Sequence, residues 1–154
     1  MKIALKYGLL ITTVVVLWIV VVRLWLGMGN GTRGQVISGV LFNVTAIVAI
    51  YLGMSERKRA LNNSIGFKDG IKTGMGISLV YAISACLFFM IEFAVAGPKL
   101  LLSDAGPVVA PLWQLAVMAY AGLFFGSLIF GLIYSTLIAF FLARRMSRDS
   151  SEII

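Results

Sequence analysis

Four long apolar runs, separated by short stretches rich in glycine, proline or charge, organise this chain of 154 residues. The first is Tyr7–Leu26, "YGLLITTVVVLWIVVVRLWL", and the second is Gln35–Met54, "QVISGVLFNVTAIVAIYLGM". The third is Thr73–Ala96, "TGMGISLVYAISACLFFMIEFAVA". The fourth, Leu112–Ala143, is longer than one straight crossing, which predicts tilt or projection beyond the bilayer. About 20 apolar residues are needed to cross roughly 30 Å of hydrocarbon, and each run supplies them. The β-branched residues of the first run do not argue for a strand. A lone strand in lipid leaves its backbone unsatisfied, so each spanning run is predicted helical.

The connections differ in character. "GMGNGTRG" (27–34) reads as a short outer turn. "SERKRALNNSIGFKDGIK" (55–72) reads as a basic inner loop ending in a helical lead-in, with Asn63 or Ser64 as its N-cap. "GPKLLLSDAGPVVAP" (97–111) holds all three prolines and is too apolar for a free loop, so it is expected on the outer membrane surface.

Composition agrees with the pattern. Hydrophobic residues make up 60% and charged residues 12%, against about 45–50% and about 25% in soluble domains. Mean hydropathy is +1.01. The expected fold is all-α, an integral bundle of four transmembrane helices in one membrane domain, 1–154. Lys2 and Lys6 precede the first run as they would in a signal peptide. That run is as long as a full span and shows no small-x-small cleavage site, so an uncleaved anchor is expected.

The net charge of +7 sits at the ends of the runs. Ten of the thirteen Lys and Arg residues fall on one side: Lys2, Lys6, Arg57, Lys58, Arg59, Lys68, Lys72, Arg144, Arg145 and Arg148. The positive-inside rule then puts both termini in the cytoplasm. Tyr7 and Tyr51 are expected at the inner headgroups, Trp25 and Trp113 at the outer ones. The basic clusters Arg57-Lys58-Arg59 and Arg144-Arg145 are expected to set orientation and meet anionic headgroups.

The chain contains no histidine, the commonest general base and metal ligand, and a single cysteine, Cys86. Cys86 reads as a small packing residue. The stretch "GFKDGIKTGMGIS" (66–78) suggests a phosphate loop, but Ile71 stands where Gly-x-x-x-x-Gly-Lys-Thr needs its second glycine. The dinucleotide fingerprint fails at Leu79. No catalytic, cofactor or metal residues are assigned, and neither nucleotide nor nucleic acid is an expected partner.

The same stretch has another order. Gly66, Gly70, Gly74, Ser78, Ala82 and Cys86 recur every four residues, a ridge that lets helix backbones approach closely in lipid. The fourth run answers with Ser127, Gly131, Ser135, Ala139 and Ala143, beside Gly122-x-x-x-Gly126. These ridges predict that helices three and four pack on each other or on a second copy. Two ionisable residues lie within the runs, Arg23 and Glu92, at similar expected depth. An ion pair between helices one and three is one reading; snorkelling of Arg23 with Glu92 at the rim is another. A third makes Glu92 a coupling site for protons or cations. Asn43 is mid-span; with Gln35, Ser38, Thr45 and Gln114 it either lines a polar path or joins helices.

Three stretches carry a resemblance: "MKIALKYGLLI", "IYLGMSERKR…GFKDGIKTGMGISLV" and "GSLIFGLIYSTLIAFFLARR". Together they resemble a bacterial family of small four-helix membrane proteins, catalogued as domain of unknown function forty-one ninety-nine. The likeness extends over nearly the whole chain and is best at Phe67–Gly74 and least around 97–111. It implies a multi-pass protein of the bacterial inner membrane and carries over no activity. The expected role is a non-enzymatic component acting through helix–helix contact, as a small subunit or scaffold. Its expected partners are anionic lipid and a second copy or another membrane protein. The alternative is a small homo-oligomeric transporter or channel using Glu92.

Overall fold

A computed structural model of the chain describes residues 1–21, 32–97 and 111–149. Among these residues it contains four helices and no strand: α1 (Lys2–Val20), α2 (Thr32–Ala60), α3 (Phe67–Ala96) and α4 (Leu112–Asp149). All four are long and apolar enough to cross a membrane.

The helices outrun the apolar runs at the charged end. α1 begins at Lys2 rather than Tyr7, α2 continues through Arg57-Lys58-Arg59 to Ala60, and α3 starts at Phe67 rather than Thr73. Hydropathy marks the hydrocarbon, whereas a backbone already helical in lipid keeps its ladder into water at little cost. The expected inner loop 55–72 therefore shrinks to residues 61–66. Asn62 and Asn63 turn the chain there with φ of 54° and 60°, the left-handed region that asparagine tolerates better than most residues. The N-cap of α3 is Gly66, with no side-chain capping bond, and not Asn63 or Ser64. Ser64 instead donates its hydroxyl to the Leu61 carbonyl at 2.9 Å. At its other end α3 stops at Gly97, whose φ is 73°.

Neighbouring helices run antiparallel. Tyr7 near the start of α1 meets Glu56 near the end of α2, and Trp18 further along α1 meets Ser38 near the start of α2. Gly70 and Ser78 of α3 face Ala139 and Gly131 of α4 in reverse order. α1 and α3 are parallel, with Thr12 beside Ser84. The start of α1, end of α2, start of α3 and end of α4 thus share one end of the bundle. Lys2, Lys6, Arg57, Lys58, Arg59, Lys68 and Lys72 all belong to that end.

The core lies toward this charged end. Ile11, Ile50, Met54, Ile65 and Ile77 are fully buried, with Ala82 and Ala139 beside them in the seams. α3 is central: it packs on α1, α2 and α4. The outer faces of α2 and α4 stay exposed, as helices in lipid require.

Candidate functional site: the helix seams and a lateral cavity

The α3–α4 seam is built from the four-residue ridges. A Cβ added at Gly74 would lie 2.0 Å from Ser135 Oγ and 2.7 Å from Ser135 Cβ. One added at Gly131 would lie 2.0 Å from Ser78 Oγ and 2.4 Å from Ser78 Cβ. Each helix therefore carries the same Gly-x-x-x-Ser unit, Gly74–Ser78 and Gly131–Ser135, and each serine fills the space its opposing glycine leaves. The two units are related by a local antiparallel pseudo-symmetry. Gly70 extends the seam, its missing Cβ replaced by Ala139 Cβ at 2.7 Å. Gly66 does not join it: a Cβ there meets only Asp69, because Gly66 precedes the helix.

The serines differ in their hydrogen bonding. Ser78 donates to the Gly74 carbonyl at 3.1 Å. Ser135 Oγ is buried with no hydrogen-bond partner among the described residues. Its oxygen sits where the second Cα–H of Gly74 points, so a weak Cα–H···O contact, common at helix interfaces, is what it receives.

The α1–α3 seam is as tight, and the four-residue period gave no sign of it. A Cβ at Gly8 would lie 2.6 Å from Val80 Cβ and 2.9 Å from the Ile77 carbonyl oxygen. Thr12 and Ser84 exchange a hydroxyl contact at 2.6 Å one turn along. Gly53 of α2 likewise leaves room for Ile77 and the Tyr7 ring. The available signal was one glycine in each of two short stretches, "KYGLL" and "YLGMS".

At the charged end, Lys6 Nζ donates to Glu56 Oε2 at 2.7 Å, and the Tyr7 hydroxyl donates to the same oxygen at 2.8 Å. Lys6 also lies 4.9 Å from the Tyr7 ring centroid. Tyr7 lies at the charged end of the bundle, with its ring buried against Gly53 and its hydroxyl bonded to Glu56. Glu56 was missed because its helical placement depends on α2 outrunning the apolar run. Lys6 is exposed and Glu56 half-exposed, so screening should govern the pair. Glu56→Gln should lower the melting midpoint slightly in low salt and leave it unchanged in 1 M salt. An equal loss in both would refute a charge-based role.

The remaining sequence candidates divide. Arg23 lies outside the described residues, so its pairing with Glu92 has no geometry here; Glu92 is half-buried on α3. The outer segment 97–111 lies outside them except for Gly97 and Pro111. Arg57, Lys58 and Arg59 form the last turn of α2, and Arg144 and Arg145 lie in the final turns of α4. Cys86 points its thiol to the Tyr120 carbonyl at 3.9 Å, and the Tyr120 hydroxyl donates to the Phe89 carbonyl at 3.3 Å. Trp18 donates to Ser38 at 2.9 Å, tying α1 to α2.

Asn43 donates to the Gly39 carbonyl at 2.7 Å and accepts a hydrogen bond from the Tyr134 hydroxyl. This bond ties α2 to α4. Interhelical bonds in membranes average about 0.6 kcal/mol and reach about 1.7. A double-mutant cycle of Asn43→Leu and Tyr134→Phe should give a coupling in that range; zero coupling would disprove the link.

Above this bond the helices part and leave a cavity of about 230 Å³. Its walls include Phe42 and Asn43 of α2, Tyr81 of α3, and Gly126, Phe130 and Tyr134 of α4. Ser127, from the expected ridge, borders it as well, with its hydroxyl on the Leu123 carbonyl at 2.6 Å. Asn43 and Phe130 are exposed on the outer surface, so the cavity opens sideways between α2 and α4. Of the described side chains Ser38, Asn43, Thr45 and Gln114, Asn43 alone lines it.

Four apolar helices packed through small residues and interhelical hydroxyls define a multi-pass membrane protein. The chain belongs to the family described as Protein of unknown function (DUF4199), whose model matches residues 6–103. That match spans α1 to α3 and stops before α4, so the likeness expected in the C-terminal stretch lies outside it. No curated protein and no solved structure matches the chain.

Proposed function

We propose that this protein is a non-enzymatic component of the bacterial inner membrane that works as a small subunit or scaffold, presenting α2 to another membrane protein. The observation that carries the reading is a stripe on α2. Val36, Val40, Val44, Ile47 and Val48 recur at helical spacing and are all exposed. β-branched side chains are held nearly to one rotamer in a helix, so packing them costs little further entropy. The ridges of α3 and α4 are already used on each other, and among the exposed apolar faces the α2 stripe is the one made of β-branched residues.

The charge distribution supports cytoplasmic termini, with the basic end of the bundle against anionic headgroups. A periplasm-active reporter fused after Ile154 should be silent. Purification at native expression in mild detergent, followed by mass spectrometry, tests the subunit role. A stoichiometric membrane protein should accompany the wild type and be lost from Val40→Phe/Val44→Phe, whose melting midpoint stays unchanged. A pure homo-oligomer whose proton or cation flux in liposomes vanishes in Glu92→Gln would overturn this reading in favour of transport. Glu92, half-buried on α3, is the residue that transport would use.

A further inference from the structure

We infer that the lateral cavity binds a lipid-soluble quinone: a planar ring carrying two carbonyl acceptors, entering from the bilayer between α2 and α4. The site lies outside the α2 stripe and does not rest on the scaffold reading.

Size and shape come first. A cavity of about 150 Å³ accepts benzene, so about 230 Å³ accommodates a larger substituted ring. Phe42, Tyr81, Phe130 and Tyr134 supply aromatic faces, and Gly122 and Gly126 supply a wall without side chains. Aromatic surfaces favour offset or edge contact with a flat ring over contact with a flexible chain.

Hydrogen-bond accounting gives the chemical class. Tyr134 spends its proton on Asn43, and Ser78 and Ser127 spend theirs on carbonyls of their own helices. Two donors remain on the cavity's residues. The Asn43 amide has a second proton beyond the one given to Gly39. The Tyr81 hydroxyl has no hydrogen-bond partner among the described residues. Unsatisfied donors within a membrane are costly, and a ligand with two acceptors satisfies both. A saturated chain satisfies neither. The lateral opening matches a ligand whose tail stays in lipid.

The test uses the full chain in phosphatidylcholine nanodiscs with a decyl-substituted benzoquinone, its uptake measured by absorbance after gel filtration. The wild type should retain about one quinone per chain above empty discs. Gly126→Leu should abolish that excess. It is expected to fold, because a Cβ at Gly126 meets nothing within 4 Å; Gly122→Leu, equally open, is its duplicate. Tyr81→Phe should weaken retention about tenfold, the worth of one hydrogen bond. Leu87→Ala, exposed on α3 and not part of the cavity wall, should leave it unchanged. Retention no greater than in empty discs overturns the proposal. So does equal retention in both leucine variants, or displacement by 1-decanol at the same concentration, which would make the cavity a slot for acyl chains.

Discussion

Replacing Gly8 by alanine should destabilise the bundle by about 3 kcal/mol, the upper end of the overpacking range. The new Cβ would stand 2.6 Å from Val80 Cβ and 2.9 Å from the Ile77 carbonyl oxygen. Neither obstacle is the end of a flexible side chain. One is rooted in the α3 backbone and the other belongs to it, so α1 must back away as a unit. The contact between Thr12 and Ser84, 2.6 Å on the same seam, then lengthens and its contribution is lost as well. Trimming the neighbour should help little: Val80→Ala removes Cγ1 but leaves Cβ at 2.6 Å. Unfolding in bicelles followed by steric trapping measures the loss. A cost below about 1 kcal/mol, or full rescue by Val80→Ala, would show that the seam is looser than described.

The second large effect is on the α3–α4 seam, and there rescue should succeed. Gly131→Ala places a Cβ 2.0 Å from Ser78 Oγ and 2.4 Å from Ser78 Cβ, with the Ser78 backbone no nearer than 3.9 Å. The obstacle is entirely one small side chain. The single change should cost about 2 kcal/mol, and Ser78→Gly in the same chain should return most of it. The exchange Ser78→Gly with Gly131→Ser is sharper, because it reverses which helix carries the glycine while keeping the seam's volume. Pairing Gly131→Ala with Ser135→Gly should rescue nothing, since Ser135 faces Gly74 instead. Rescue by the wrong serine would refute the register.

The two seams differed in legibility for a physical reason. Close packing along a shared stretch of two antiparallel helices needs small residues at each turn, so the α3 and α4 ridges show as a four-residue period in both. The α1–α3 seam is tight at a point, and one glycine, Gly8, suffices. A single glycine in an apolar run carries no period. Glu56 was hidden differently. Its partners are fifty and forty-nine positions away in the chain, and only the end-to-end alignment of α1 with α2 makes them neighbours. The cavity was invisible for a related reason: it is made where Gly122 and Gly126 meet no neighbour, and a glycine that packs closely reads the same as one that leaves a space.

The amino-acid sequence alone determined that this chain lives in lipid as four helices, with its basic residues gathered at one end. Those properties follow from local composition and from the requirement that a backbone in hydrocarbon satisfy its own hydrogen bonds. The tertiary structure decided which small residues face one another, that Gly74 meets Ser135 and Gly131 meets Ser78, and where α2 and α4 separate to leave a cavity. In lipid no hydrophobic gain distinguishes one apolar helix face from another. The choice of faces therefore rests on shape complementarity between distant segments, which is set only when all four helices are in place.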